Sequence, residues 1–297
     1  MIKKVSLTLG YKCNNNCRIC AVANKRKWGD RTTREVESEL EQIKNPQNKS
    51  LVLTGGEVTI RKDIFEIIRY AKFLGFKKIE IQTNGRMCSQ LNFTQRLIKE
   101  GVNTFLVSIH GHNKKTHDFI TRCPGSFLQT TAGIKNLTKF KINLITNTVV
   151  NKFNYRYLPK IAKLLIGLGV KRIQFTFVHG LGNAWNNFGQ VVPTYSESAP
   201  YIHKAIDLCR KYNITSPVRD VPFCFMRGYE NHINDPYLEH TTVRDMRRNI
   251  TDFKTWRPQY AKIQGPPCEK CKYRKICEGP WKDYVKKYGW SEFCPLI

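Results

Sequence analysis

Three cysteines crowd one short loop: Cys13, Cys17 and Cys20 stand at C-x3-C-x2-C spacing, directly after a strand-like run over 5–9. Such spacing lets a single loop wrap a small inorganic cluster. A [4Fe-4S] cube completes each of its irons most readily with a thiolate, so three cysteines leave one iron open to another ligand. The competing structure is a zinc knuckle, which needs a fourth Cys or His to close a tetrahedron. No fourth ligand stands near the loop in the sequence.

Around this loop the chain alternates two periodicities. Strand-like runs at 5–9, 51–53, 78–82, 104–109, 142–150 and 172–178 are interleaved with helical stretches at 33–43, 62–74, 93–100, 125–137 and 155–168. In the last of these, Leu158, Ile161, Leu165 and Leu168 recur every three to four residues and mark one buried face. Gly75, Gly101 and Gly169 each follow a helix, where a left-handed terminal residue belongs. Alternation of this kind predicts a parallel sheet with right-handed crossovers, and chemistry at the C-terminal ends of its strands.

The polar motifs fall at those ends. Thr54-Gly55-Gly56-Glu57 follows the second run, where the two glycines let backbone approach a ligand without a Cβ in the way. Thr83-Asn84-Gly85 follows the third, and Ser108, His110 and His112 the fourth. Of the two histidines, His110 is expected to line a pocket. Thr146, Asn147 and Thr148 interrupt an apolar fifth strand, which predicts inward contacts, and residues 178–184 end the sixth.

The three-cysteine loop followed by Gly55-Gly56-Glu57 resembles the signature of the radical S-adenosylmethionine (SAM) superfamily. That resemblance implies an α/β fold, a partial (β/α)6 TIM-like barrel, and a [4Fe-4S] cluster on Cys13, Cys17 and Cys20 whose open iron chelates the amino and carboxylate groups of SAM. It implies further that Gly55, Gly56 and Glu57 hold the SAM amino group, and that Thr83, Ser108, Asn147 and Asn183 contribute cofactor contacts. Ile19 stands where many members carry an aromatic residue against the adenine. The implied chemistry is reductive cleavage of SAM to a 5′-deoxyadenosyl radical, which abstracts hydrogen from a substrate. An electron donor such as flavodoxin or ferredoxin is implied with it.

Beyond a helix expected over 198–212, which would cap the barrel, the periodicity fades. Cys224 ends a short run that predicts the start of a hairpin, and Cys268, Cys271 and Cys277 follow at C-x2-C-x5-C spacing, with Cys294 near the end. This second cysteine set resembles the auxiliary-cluster module called SPASM, or its shorter twitch form. Where the fuller module carries a further cysteine, this chain has Gly279, Pro280 and Trp281, so the resemblance implies one auxiliary [4Fe-4S] cluster. Its ligands would be Cys268, Cys271, Cys277 and Cys224, with Cys294 the alternative fourth and a structural zinc site the alternative occupant. The expected division is a core over 1–215 and a module over 216–297. Cys88, Cys123 and Cys209 stand alone and are assigned no role.

Composition narrows the setting. The chain has 297 residues and eleven cysteines, an odd number falling mostly into two sets, which fits metal ligation in a reducing cytoplasm better than a disulfide framework. No apolar leader opens the sequence, and Lys160, Lys163 and Lys171 interrupt its most apolar stretch well short of the roughly 20 residues of a membrane span. Fifty Lys and Arg against 23 Asp and Glu give a formal charge of +27, spread along the chain, a field that attracts phosphates, acidic peptides or membranes. The resemblance to auxiliary-cluster members, which commonly modify peptides or proteins, implies a peptide or protein as the first expectation for the substrate and a small phosphorylated metabolite as the second; the charge keeps RNA open without preferring it. A different class, a non-enzymatic iron-sulfur or zinc protein binding nucleic acid through its charge, would not turn over SAM.

Overall fold

The computed structural model describes residues 3–297. The first strand sets the pattern: in β1 (Lys4–Thr8) Val5 and Leu7 point to one face and are 2% and 0% exposed. Ser6 points the other way, into the barrel. The strands that follow are β2 (Ser50–Thr54), β3 (Lys78–Thr83), β4 (Thr104–Ser108), β5 (Asn143–Val150) and β6 (Ile173–Phe177). Between them run α1 (Thr33–Glu41), α2 (Ile64–Phe73), α3 (Leu91–Glu100), α4 (Lys114–Thr121), α5 (Ser126–Leu137) and α6 (Leu158–Gly167). Ile67, Ile68, Leu97, Ile134, Ile161 and Leu165 bury their side chains completely in the core that these helices form with the sheet. Each such side chain contributes roughly 1.5–3 kcal/mol. The inner strand faces carry Glu80, Gln82 and Gln174 and enclose polar space.

The expected six strands are present, and three more join them. β7 (Val218–Arg219) pairs parallel with β6, and β8 (Thr241–Arg244) pairs parallel with β1, carrying β9 (Asn249–Ile250) antiparallel at its side. The sheet order is β7-β6-β5-β4-β3-β2-β1-β8-β9, an unclosed barrel whose edges are β7 and β9. The expected boundary at 215 therefore falls just before a strand of the same sheet. Three local expectations are corrected. Cys224 sits in a 3-10 turn, Phe223–Phe225, entered through the extended Pro222, and the hairpin forms later, at β8 and β9. The helix expected from 155 begins only at Leu158, with Pro159 in its first turn.

The third correction concerns the capping helix. After the short turns α7 (Asn183–Asn186) and α8 (Phe188–Val191), α9 (Tyr195–Lys211) starts earlier than expected, because Thr194 and Glu197 close a reciprocal capping box. The C-terminal part adds α10 (Phe253–Trp256) and α11 (Lys282–Tyr288). Among the described residues, no helix is long and apolar enough to cross a membrane.

Candidate active site

The cysteine loop leaves β1 and is pinned on three sides. The β2 turn lies directly under it: Gly56 N–H donates to the Gly10 carbonyl at 2.9 Å, and Glu57 N–H to the Lys12 carbonyl at 2.8 Å. A Cβ on Gly55 would come within 2.1 Å of the Gly10 carbonyl oxygen, and one on Gly56 within 2.1 Å of the Lys12 oxygen. The glycines are thus required first by the close approach of two backbone segments. From the β3 end, Arg86 donates to the Asn14 carbonyl (2.5 Å) and Asn15 Oδ1 (2.8 Å), while Asn84 donates to Asn14 Oδ1 at 2.7 Å. On the third side, the backbone N–H groups of Asn16 and Arg18 reach the carbonyls of Thr121 and Ile120 at the end of α4.

The cysteines of this loop border a cavity of about 570 Å³. Ile19, Gly55, Gly56, Glu57, Thr83, Ser108 and Asn147 line the same space, as do His110 and His179. Asn183 does not: its backbone N–H donates to the Cys20 carbonyl (3.0 Å) and its side chain to the Cys17 carbonyl (2.7 Å), bracing the loop from behind. Thr146 and Thr148 are corrected as well. Alternation along β5 turns Asn147 and Val149 inward and buries both threonines on the helix side. His112 rests against Tyr157, off the cavity wall.

Glu57 is a cross-brace between strand ends. Its buried carboxylate accepts from the Thr59 backbone (3.1 Å) and hydroxyl (2.6 Å), the Thr83 hydroxyl (2.7 Å) and Asn84 N–H (2.6 Å). Burial raises its pKa, and these four donors oppose the rise. Burial likewise pushes the Cys17 thiol up to about 12 and raises that of Cys13, so metal binding at this loop must displace protons.

The second cysteine set converges on one small pocket, lined by Cys224, Cys268, Cys271, Cys277 and Cys294. Phe223 stacks on Tyr273 at 4.5 Å, fixing the turn of Cys224 against that of Cys271. Gln264 clamps the carbonyls of Arg274 and Cys277, and the Lys272 N–H holds the C-terminal tail through the Leu296 carbonyl at 2.8 Å. Cys224 is half-buried, and the neighbouring Cys277, Cys268 and Cys271 add to the burial that raises its thiol; Cys294 is exposed. Among the described residues no three or more Cys, His, Asp or Glu side chains stand close enough to hold a single metal ion. Each cysteine set borders a space and not a point.

One group of cavity residues forms no local pattern in the sequence. Arg219 and Asp220 at β7, and Phe253, Arg257 and Trp281 from the C-terminal part, wall the cavity on the side where the barrel fails to close. Across that gap, Arg257 Nη2 meets Asp220 (2.5 Å), Asp235 (3.0 Å) and Glu278 (2.9 Å), and Lys262 adds a contact to Asp220 at 3.0 Å. Trp281 stacks on His179 at 3.7 Å. Glu278 directly follows Cys277, so this buried ionic knot joins the main cavity to the second cysteine pocket. The cysteine spacings draw the eye, whereas a lone Arg257 among 50 Lys and Arg does not.

The chain is similar to known proteins. AdoMet-dependent heme synthase of Methanosarcina barkeri is 35% identical over 165 residues, covering 55% of this chain and 46% of that protein. A probable GTP 3′,8-cyclase of Saccharolobus islandicus is 31% identical over 189 residues, covering 61% and 58%. The chain thus spans about half the length of the curated relatives it matches. Among solved structures, anSMEcpe with bound AdoMet superposes with a TM-score of 0.69 at 15% identity, over 99% of this chain and 93% of that one. Streptococcus suis SuiB bound to precursor peptide SuiA gives 0.68 at 15% identity, over 99% and 75%. These likenesses establish the partial-barrel fold through the C-terminal part. The Radical SAM superfamily model matches residues 7–165, more than half of the sequence, and the chain belongs to that superfamily, whose enzymes use SAM and a [4Fe-4S] cluster.

Proposed function

We propose that this chain cleaves SAM reductively at a cluster held by Cys13, Cys17 and Cys20 and uses the resulting radical to modify a peptide or protein. The observation that carries the reading is the shared cavity: three thiols, the glycine-glycine-acid turn and the inward ends of β3, β4 and β5 face one space. The residues fit the cofactor. A loop whose three thiols border a cavity, and whose backbone is fixed by Arg86, Asn84 and the glycine turn, suits a cluster with one open iron. When bound, that cluster supplies the electron for SAM cleavage.

The protein's part is placement. Gly55 and Gly56 bring the β2 turn against the loop, Glu57 and Thr83 lock the β2 and β3 ends together, and Ile19 offers an apolar wall where an adenine would lie. Ser108 and Asn147 present polar groups to the same space, and Asn183 braces the loop that forms its floor. The seam residues and Trp281 close the open side, limiting water and competing hydrogen donors. At the second pocket, Cys268, Cys271, Cys277 and Cys224 would hold one auxiliary [4Fe-4S] cluster, the half-buried Cys224 being a firmer anchor than the exposed Cys294. We assign 1–215 to the core and 216–297 to the auxiliary module, whose strands β7, β8 and β9 extend the core sheet. An acidic electron donor such as flavodoxin or ferredoxin suits the chain's charge.

A peptide is favoured because the fold matches SuiB and anSMEcpe over nearly the whole chain, and both have been seen with peptides. The curated relatives support a second reading, a small metabolite, since they include a heme synthase and a GTP cyclase. Fractionated cell extract separates the two. A peptide substrate predicts that an extract fraction stimulates 5′-deoxyadenosine formation and loses this effect after protease treatment. Stimulation that survives protease and disappears with phosphatase would replace the peptide by a phosphorylated metabolite.

A further inference from the structure

The barrel's open seam presents hydrogen-bond donors that lack acceptors. Arg257 is 0% exposed, and all three of its acids meet Nη2, leaving Nε and Nη1 without a partner. Arg219 has a buried Nε with no partner, its nearest carboxylate, Asp235, being 3.9 Å away. The indole N–H of Trp281 is buried and unpartnered too. All three side chains line the cavity of the cysteine loop, and among the described residues the buried, unpartnered side-chain polar atoms on its lining residues are donors; Glu278 Oε2, 2.9 Å from Arg257 Nη2, is a buried acceptor without a hydrogen bond but belongs to the adjoining pocket.

Buried polar groups without partners are rare in folded proteins. Here they belong to two guanidiniums and an indole on one wall, so the missing partner must supply acceptors. Carboxylate and phosphoryl oxygens do this, and they match the guanidinium fork. We infer that Arg219, Arg257 and Trp281 form an anion subsite that holds a carboxylate or phosphoryl group of the substrate. The inference rests on the reading of this cavity as the reaction site. The acids around Arg257 orient it without satisfying it, since they touch a single nitrogen. On a peptide the group is an acidic side chain or the terminal carboxylate; on a metabolite it is a phosphate.

The test uses the anaerobically reconstituted full chain with SAM, at near-physiological salt. Fluorine NMR follows two probes, trifluoroacetate for a carboxylate and monofluorophosphate for a phosphoryl group. The wild type should broaden the line of at least one probe, and the stronger response identifies the class. Arg219→Gln leaves the ion pairs of Arg257 in place and should weaken that binding about tenfold. Trp281→Phe keeps a ring against His179 and should weaken it less. Arg248→Gln, at an exposed arginine over Trp256, should leave it unchanged. No broadening, equal broadening in wild type and Arg219→Gln, or equal loss in Arg248→Gln overturns the subsite. So does reduced SAM affinity in Arg219→Gln with probe binding intact, which would assign these donors to the SAM carboxylate. Iron content and SAM cleavage by the wild type test the cavity reading separately.

Discussion

At Gly56 a single methyl group decides whether the β2 turn can lie under the cysteine loop. A Cβ there would stand 2.1 Å from the Lys12 carbonyl, a backbone atom that can yield only if the loop moves. Gly56→Ala should therefore cost roughly 1–3 kcal/mol of stability and lower iron incorporation; unchanged iron content and unfolding midpoint would show that the two segments part freely. The sequence made this glycine visible, though for a different reason, because it cannot show that the atoms in its way belong to the loop 40-odd positions earlier and not to a ligand. A second residue-scale effect is acid sensitivity. His110 and His117 are buried, which lowers their pKa values to about 3 and about 4, and the backbone N–H of His110 donates to His117 Nδ1 at 3.1 Å. In the unfolded chain both take protons near pH 6.5, so protons favour unfolding as pH falls from there toward the folded values. Each group then removes up to about 1.4 kcal/mol per pH unit. The unfolding midpoint should decline from pH 7 to 5.5, and His117→Gln should flatten the decline; an unchanged slope would show that His117 is not held neutral.

Among the elements, the turns that carry the second cysteine set offer the sharpest test. Five sulfurs line a pocket for a cluster that takes four, and Cys224→Ala should lower iron content or shift the cluster's potential where Cys294→Ala does not. The opposite outcome would transfer the fourth position to Cys294. Legibility differs between elements for a physical reason. β1 to β6 and α1 to α6 each bury one face, and burial writes a period into the sequence: Ile161 and Leu165 mark α6, and Val5 and Leu7 mark β1. β7 and β9 have two residues each, and β8 shows no buried residue, so they leave no period to read. Their existence depends on pairing with β6 and β1, which only the assembled sheet supplies. The same limit hid Arg86, which holds the cysteine loop from 71 and 72 positions away. The cysteines themselves were legible because ligand spacing within one loop is local.

Over the whole molecule, two cysteine sites are joined by a wall of buried charge across an unclosed sheet, under a surface of net charge +27. If that charge recruits a polyanion, binding should fall steeply with salt, log K losing roughly 0.9 per phosphate contact on duplex DNA, whereas a solvated surface leaves RNA binding weak near physiological ionic strength. Salt-resistant tRNA binding, or a modified nucleoside formed during turnover, would promote RNA over peptide. The full set of ligands predicts about eight irons per chain, two cubanes. The most direct measurement is 5′-deoxyadenosine released by the anaerobically reconstituted, reduced protein given SAM. Wild type should form it, and the variant with Cys13→Ala, Cys17→Ala and Cys20→Ala should lose about half the iron and form none; equal product from that variant, or none from fully loaded wild type, would contradict the account.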